Sequence, residues 1–497
     1  MTIIMKLKYF IAVLLVAATS VSCNKFLDLS DPDTVTVGNF YQTESDIQQS
    51  VYGAYDQLKN GYICGTSQWY FEECKANMLL YPDTGVNAGE NSSFDNSSVV
   101  STNQFVASCW NAYYVCIKRA NNVLKHLDDV TYADASTKAI YEAEMRFLRA
   151  FCYYRLVCHF GSVPLVLETL NNLDEIKAAN VRTDKETIYQ AIFDDCKAAA
   201  ESPLPNLQNK VNCGRASKAA VYTLWGKALL QKATDPDFSA QKASLAGNAI
   251  TQFQAAWAVK PFSDFTDLPV EDAFNLENQD SAPENIFQTV YISGSTTANS
   301  SFNTQFRPTD IDDPTKEVNS KKSSGSFSMR ENYCEALYDE QGDLRFQKLI
   351  GHGLRNKISS YYTVKYADMN DSGYYGCNFV VFRYADVALM LAEANYHAGK
   401  ASEALTWLNM VRNRAGLANS TASGNALRNA IYHERDREFA FEGKAWSDLK
   451  RGYSKSEIKE IMHGLNVVMY SDTHYLLPIP HAQIILGLQP QNPGFSD

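Results

Sequence analysis

Apolar positions recur at three- and four-residue spacing through much of the chain, which predicts helix after helix with long irregular segments between them. The clearest run is 139–160, AIYEAEMRFLRAFCYYRLVCHF, where Ile140, Phe147, Phe151 and Leu156 make a stripe that Met145, Leu148 and Cys152 widen. Gly161 and Pro164 end it. Glycine suits the left-handed residue after a helix, and proline shortly beyond bars continuation. Further helices are predicted over 186–200, stopped by Pro203 and Pro205, over 215–232, and over 245–259, stopped by Pro261. Near the end, 384–397 is apolar at Val387, Leu391 and Ala394, Gly399 and Lys400 break the pattern, and 401–414 follows with Leu405, Leu408 and Val411 before Gly416.

Two helices of that length joined by a tight turn, with Ala392, Ala394 and Ala404 near the contact, resemble a tetratricopeptide hairpin. Earlier pairs read as looser, irregularly spaced copies. The helical pattern fails over 61–102 and again over 260–380, where Ser, Asn, Asp, Gly and aromatics dominate and short extended pieces stand at 285–293 and 378–382. Irregular segments this long in a compact protein are usually functional or disordered, and these hold too many aromatics for plain disorder.

The first 22 residues read as a leader: Lys6 and Lys8, an apolar core over 9–18, then small residues up to Cys23. The core is shorter than the roughly 20 residues that span a bilayer, so it describes a cleaved secretory signal. A cysteine placed there is a candidate for lipidation as the first mature residue, although Ser20 occupies the position where a leucine is usual. No other apolar run is long enough to cross a membrane. The expected organisation is a signal over 1–22 and one body over 23–497, with a helical N-terminal region (23–260) and a C-terminal region (261–497) holding the loop-rich insert and the last helix pair.

Aromatics are abundant, with 29 tyrosines, 25 phenylalanines and 6 tryptophans; some are expected in the core, and tyrosine in such numbers also fits a surface that binds something flat and partly polar. The formal charge of −11, or −13 without Lys6 and Lys8, argues against nucleic acid, whose affinity comes largely from cationic contacts to phosphate. Eleven cysteines lack the CxxC spacing of a metal site, and ten of them are expected mostly as buried apolar residues, with disulfides left open.

A catalytic reading finds no G-x-S-x-G, no phosphate-binding loop and no H-E-x-x-H, and the eight histidines are scattered. No enzyme activity and no cofactor are expected. Asp368 to Gly373 begins like a calcium loop, but Phe379 stands where the closing glutamate belongs, so a plain turn and no metal are expected. Arg146, Arg149, Arg383, Arg412 and Arg435, with Glu434, Glu438 and Glu442, lie in amphipathic runs and read as charge pairs between helices.

Five blocks in order then carry a resemblance. They are CNKFLDLSDPDTVTVGNFYQTESDIQQSVYGAYDQL, EMRFLRAFCYYRLVCHFGSVPLV, RYADVALMLAEANYHAGKASEALTWLNMVRNRAGL, ERDREFAFEGKAWSDLKRG and YLLPIPHAQIILGLQPQNPGF. The set resembles the SusD/RagB family. The resemblance implies an all-α fold of four tetratricopeptide-like pairs plus an irregular, loop-rich ligand-facing half with short strands. It implies a lipoprotein anchored through Cys23 in the outer membrane, facing the cell exterior, that captures a nutrient for a SusC-type TonB-dependent transporter. The expected ligand is an oligo- or polysaccharide. The alternatives are a peptide, as in the RagB branch, and a surface scaffold or adhesion role with no small ligand.

The family's ligand residues lie in variable loops, so candidates are chosen by local chemistry: aromatic platforms with flanking amide, carboxylate or arginine groups. In the first loop-rich stretch these are Trp69, Tyr70, Tyr81, Asp83, Asn87, Asn91 and Phe94. In the second they are Phe302, Phe306, Arg307, Tyr361, Tyr362, Tyr374 and Tyr375.

Overall fold

Most of the long N-terminal helices begin where a short polar side chain closes the first turn. A computed structural model describes residues 40–81, 88–322, 325, 327–355, 357–488 and 490–495. The leader, Cys23, Asp83 and Asn87 fall outside the described residues. Thr43 and Asp46 form a reciprocal capping box at α1 (Glu44–Asp56), and Asn103 caps α2 (Gln104–His126). The 139–160 helix starts earlier than its apolar stripe: α3 (Ala135–Phe160) is opened by Asp134, whose Oδ1 accepts from Ser136 N at 2.8 Å. After α4 (Leu173–Ala179), Asp184 caps α5 (Lys185–Glu201). Ser217 caps α6 (Lys218–Thr234), which therefore begins later than its apolar pattern suggests, and α7 (Lys242–Ala258) follows. Such caps are worth about 1 kcal/mol each.

Helices pack in succession: α2 on α3, α3 on α5, α5 on α6, and α6 on α7. The stack continues in the C-terminal region, where α7 meets α10 (Tyr384–His397), and α10 packs on both α11 (Ala401–Arg414) and α12 (Gly424–Phe439). Gly399 adopts φ 76° in the turn between α10 and α11, and Ala392, Ala394 and Ala404 are fully buried.

The irregular stretch contains more sheet than its composition suggests. Strands β1 (Leu79–Leu80), β3 (Asp310–Ile311), β4 (Ser328–Arg330), β5 (Ile350–Arg355) and β6 (Ile358–Thr363) form an antiparallel sheet in the order β1-β4-β6-β5-β3. The apolar alternation is hidden because glycines fill inward positions. Gly351 pairs with Tyr362 across the hairpin, and a Cβ there would lie 2.4 Å from the tyrosine ring. Strands β2 (Asn285–Thr289) and β7 (Phe379–Arg383) form a separate pair, and β7 runs straight into α10. Short helices α8 (Glu331–Leu337) and α9 (Leu344–Leu349) lie between strands.

Several aromatics read as ligand platforms are core. Trp69 has no exposed surface; its ring meets Phe302, Phe306, Phe327, Tyr366 and Phe379, and its Nε1 donates to the Phe441 carbonyl at 2.8 Å. Tyr70 and Phe94 are buried against each other, and Tyr362 and Tyr375 are buried as well. Buried Arg307 is paired with Glu317 at 2.6 Å, and Asn91 is buried too. The reason is physical: loops as long as these fold back on the helices and need a core of their own, and aromatic rings supply the most apolar area per residue.

The charged blocks do join elements. Arg383 reaches Glu284 at 2.7 Å, Glu438 at 2.6 Å and Glu442 at 2.7 Å, so one guanidinium at the end of β7 ties three segments together. Arg435 joins Asp386 and Asp448, and Arg149 holds Asp195 at 2.8 Å. Burial pushes the Glu438 carboxyl up, but the guanidiniums of Arg414, Arg383 and Arg345 outweigh it and hold it well below the ordinary range. The ten described cysteines carry free thiols, all buried except half-buried Cys213. Asp368 spends its carboxylate on Ser293, Asn370 and Gly376, as a turn residue does. Among the described residues no helix is long and apolar enough to cross a membrane.

Candidate functional site

Two adjacent cavities, sharing part of their lining, lie where the sheet meets the last helices. The outer one is a cleft of about 600 Å³. One wall comes from the turn before β1 and from residues near 95: Asn77, Asp95 and Asn96. The second comes from the end of β4 and the start of α8: Arg330, Asn332 and Tyr333. The third is the end of α14 (Lys455–Gly464) and the loop after it, where Val468 and Met469 are 74% and 65% exposed.

Backbone geometry positions these groups. Asn77 takes φ 60°, a conformation asparagine tolerates better than most residues. Its Oδ1 accepts from Arg330 Nη1 at 2.5 Å and its Nδ2 donates to the Asp95 carbonyl at 2.8 Å, so one amide links two walls. Pairing of Leu79 with Met329 brings the two strands into this register. Burial lowers the Arg330 guanidinium from its ordinary value, with Asp95 opposing. The Arg330 side chain makes a single hydrogen bond among the described residues and the Asn332 side chain makes none, so both have donors to spare at the cleft.

The inner cavity, about 280 Å³, shares Tyr333, Gly464 and Leu465 with the cleft. It runs toward Tyr432 and Asp436 of α12, Leu449 of α13 (Ala445–Gly452), and Tyr453. Its lining is mostly apolar and aromatic around two carboxyl groups, Asp436 and Asp448, the latter paired with Arg435 and Arg451.

Of the residues chosen from sequence, Tyr81 comes nearest: it is half-buried against Tyr70 and Phe327, and its backbone N lies 3.5 Å from Asp95 Oδ2. Tyr361 stands elsewhere, half-buried beside Phe346 and His352. There Asp312 Oδ2 engages His352 Nδ1 at 2.5 Å and Ser359 Oγ engages Nε2 at 2.8 Å, which fixes the imidazole against Tyr361. Tyr374 is 40% exposed and sits in the loop whose carbonyl accepts from Gly294 N. These three do not converge on one cavity. Sequence reasoning missed Asn77, Arg330, Tyr333 and Asp436. Only Arg330 carried a usable signal, an arginine between a strand and a helix start. Among the described residues no group of three or more His, Cys, Asp or Glu side chains is arranged to hold a metal.

Comparison with known proteins supports the same family from both ends of the chain. Residues 348–495 match the family model described as "SusD family", and residues 25–230 match "Starch-binding associating with outer membrane". The chain is 25% identical to SusD-like protein P2 of Formosa agariphila over 98% of this chain and all of that protein, and 26% identical to SusD-like protein P25 of the same organism over 96% of each. Among solved structures, a laminarin-binding SusD-like protein superposes with a TM-score of 0.74 at 23% identity, covering 92% of this chain and 100% of that one. Surface glycan-binding protein A from Bacteroides thetaiotaomicron superposes with a TM-score of 0.74 at 20% identity, covering 91% of this chain and 100% of that one. The mostly helical body with short strands is therefore a SusD-like fold, and the chain belongs to the SusD/RagB family of non-catalytic binding proteins.

Proposed function

We propose that this protein captures an oligo- or polysaccharide outside the cell, held at the outer membrane by lipid on Cys23, and passes it to a SusC-type TonB-dependent transporter. What supports the reading is the outer cleft. Sugars present apolar faces rimmed by hydroxyls, and the cleft offers the Tyr333 ring beside amide, carboxylate and guanidinium groups. Such a cavity, with a few convergent polar groups among apolar ones, is the usual form of a ligand site. A relative of the same fold, surface glycan-binding protein A, is known in complex with laminarihexaose, at 20% identity and a TM-score of 0.72.

The Ser359–His352–Asp312 row has the order of a proton relay. In a family of binding proteins it serves to lock the ring that backs Tyr361. The test is calorimetric titration of the body lacking Cys23 against host, plant and microbial glycans and mixed oligopeptides. Saturable heat with one glycan class, lost in Tyr333→Ala, supports capture in the cleft. Saturable heat with peptides alone overturns the carbohydrate assignment.

A further inference from the structure

Asp436 stands apart from the charges around it. On α12 its neighbours Glu434, Arg435, Arg437 and Glu438 all enter ion pairs, whereas the Asp436 side chain makes no hydrogen bond or ion pair among the described residues. Its half-buried carboxyl faces the inner cavity. Rings line that cavity on several sides: Tyr432 and Tyr453 lie with centroids 5.6 Å apart at 51°, and Tyr333 closes the side toward the cleft. Asp436 acts on two of them. After burial, its charge is the next influence raising the hydroxyls of Tyr333 and Tyr453.

We propose that the inner cavity takes a protonated primary amine carried by the ligand that fills the outer cleft, with the Asp436 carboxylate as counter-ion and the tyrosine rings as the cage. This rests on the cleft being the ligand site. With no side-chain partner and part of its hydration lost, the Asp436 carboxyl favours its protonated form, and an ammonium group beside it would restore the carboxylate. Ring faces attract cations within about 6 Å of their centroids, more strongly when water is excluded. The cations already nearby are committed. Arg435 and Arg451 are paired with Asp448, and Arg428 stacks on one face of Tyr453, 4.7 Å from its centroid, while bonded to Glu457. Burial, reinforced by Asp448 and only partly offset by Arg435, pushes the Asp436 carboxyl up to about 8.

Two ligand classes present such an amine beside hydrogen-bonding groups: a glycan with free 2-amino-2-deoxyhexose units, and a peptide with a lysine side chain. The intact mature chain is titrated with chitosan hexaose against its fully N-acetylated counterpart, and with Ala-Lys-Ala against the same peptide acetylated on lysine. The expected result is at least ten-fold tighter binding of the free amine in one pair; which pair responds identifies the source. Asp436→Asn, nearly isosteric, is expected to bring that preference below three-fold, while Arg330→Ala weakens free and acetylated ligands alike. Equal affinity for free and acetylated forms in the wild type overturns the amine pocket, as does a preference that Asp436→Asn retains. Neutral glycans bound at the cleft, sensitive to Arg330→Ala but with no amine preference, overturn this inference and leave the proposed function standing. Binding that neither Arg330→Ala nor Tyr333→Ala changes overturns both.

Discussion

Arg330 Nη1 and Asn77 Oδ1 lie 2.5 Å apart, and that side-chain bond extends the β1–β4 pairing to tie the β4 wall of the cleft to the turn before β1. Asn77 is almost fully buried and touches solvent very little, so its importance is to position Arg330. Asn77→Ala removes two hydrogen bonds and puts a side chain with no compensating polar group at φ 60°. A loss of about 1–3 kcal/mol is expected from the unpaired partners. Chemical denaturation checks it; an unchanged midpoint contradicts the role.

Trp69 was a natural choice for a sugar platform and is a core residue instead. Trp69→Ala should cost about 3–5 kcal/mol of stability, as large-to-small changes at buried aromatic sites do. The measurement is the unfolding midpoint together with ligand affinity at a temperature where the variant is folded. A stable variant with lost binding would return Trp69 to the ligand surface.

The Arg383 cluster makes the C-terminal region dependent on one guanidinium. Arg383→Met leaves Glu284, Glu438 and Glu442 buried around an apolar side chain, and breaking a buried pair from one side costs about 3–5 kcal/mol. Acid should act on the same cluster. Burial raises Glu442, but Arg383 and Lys365 outweigh it and bring it to about 2, below its unfolded value near 4.3. Its contribution is complete above the unfolded value and is lost as pH falls toward 2. Stability measured between pH 5 and 2 should fall in the wild type, and less steeply in Glu442→Gln.

Asp436 predicts the opposite slope. Its folded value near 8 lies above the unfolded value near 3.9, so the native state holds a proton that the unfolded chain has released. Stability from this group is present at low pH and declines as pH rises from about 4 through 8. Asp436→Asn should remove that decline and gain about 1–3 kcal/mol at pH 8 without ligand. Identical pH profiles for the two proteins would contradict an unpaired, desolvated carboxyl.

The helical frame was legible because periodicity and stop signals agree. The bounds of α10 and α11 follow from Gly399 and Gly416, and the turn after α3 from Gly161 and Pro164. The charged blocks were legible as pairs because arginines and glutamates recur on the same helices. The aromatic loops were not legible. Trp69 meets Phe302 and Phe379 only after the chain has returned from more than 200 residues away, and a ring that packs inward has the same local sequence as one that faces a ligand. The cleft was missed for a related reason: its groups come from four separate segments, and Asp436 is hidden in a run of charges whose other members are paired.

The measurement that tests the account most directly is the affinity of Arg330→Ala and Tyr333→Ala for the first glycan found to bind the wild type, with Tyr374→Ala alongside. The account predicts at least a ten-fold loss in both cleft variants at near-native stability, and wild-type affinity for Tyr374→Ala. Wild-type affinity in both cleft variants, with the loss falling on Tyr374→Ala, would place the ligand on the loop that carries Tyr374 and contradict the cleft.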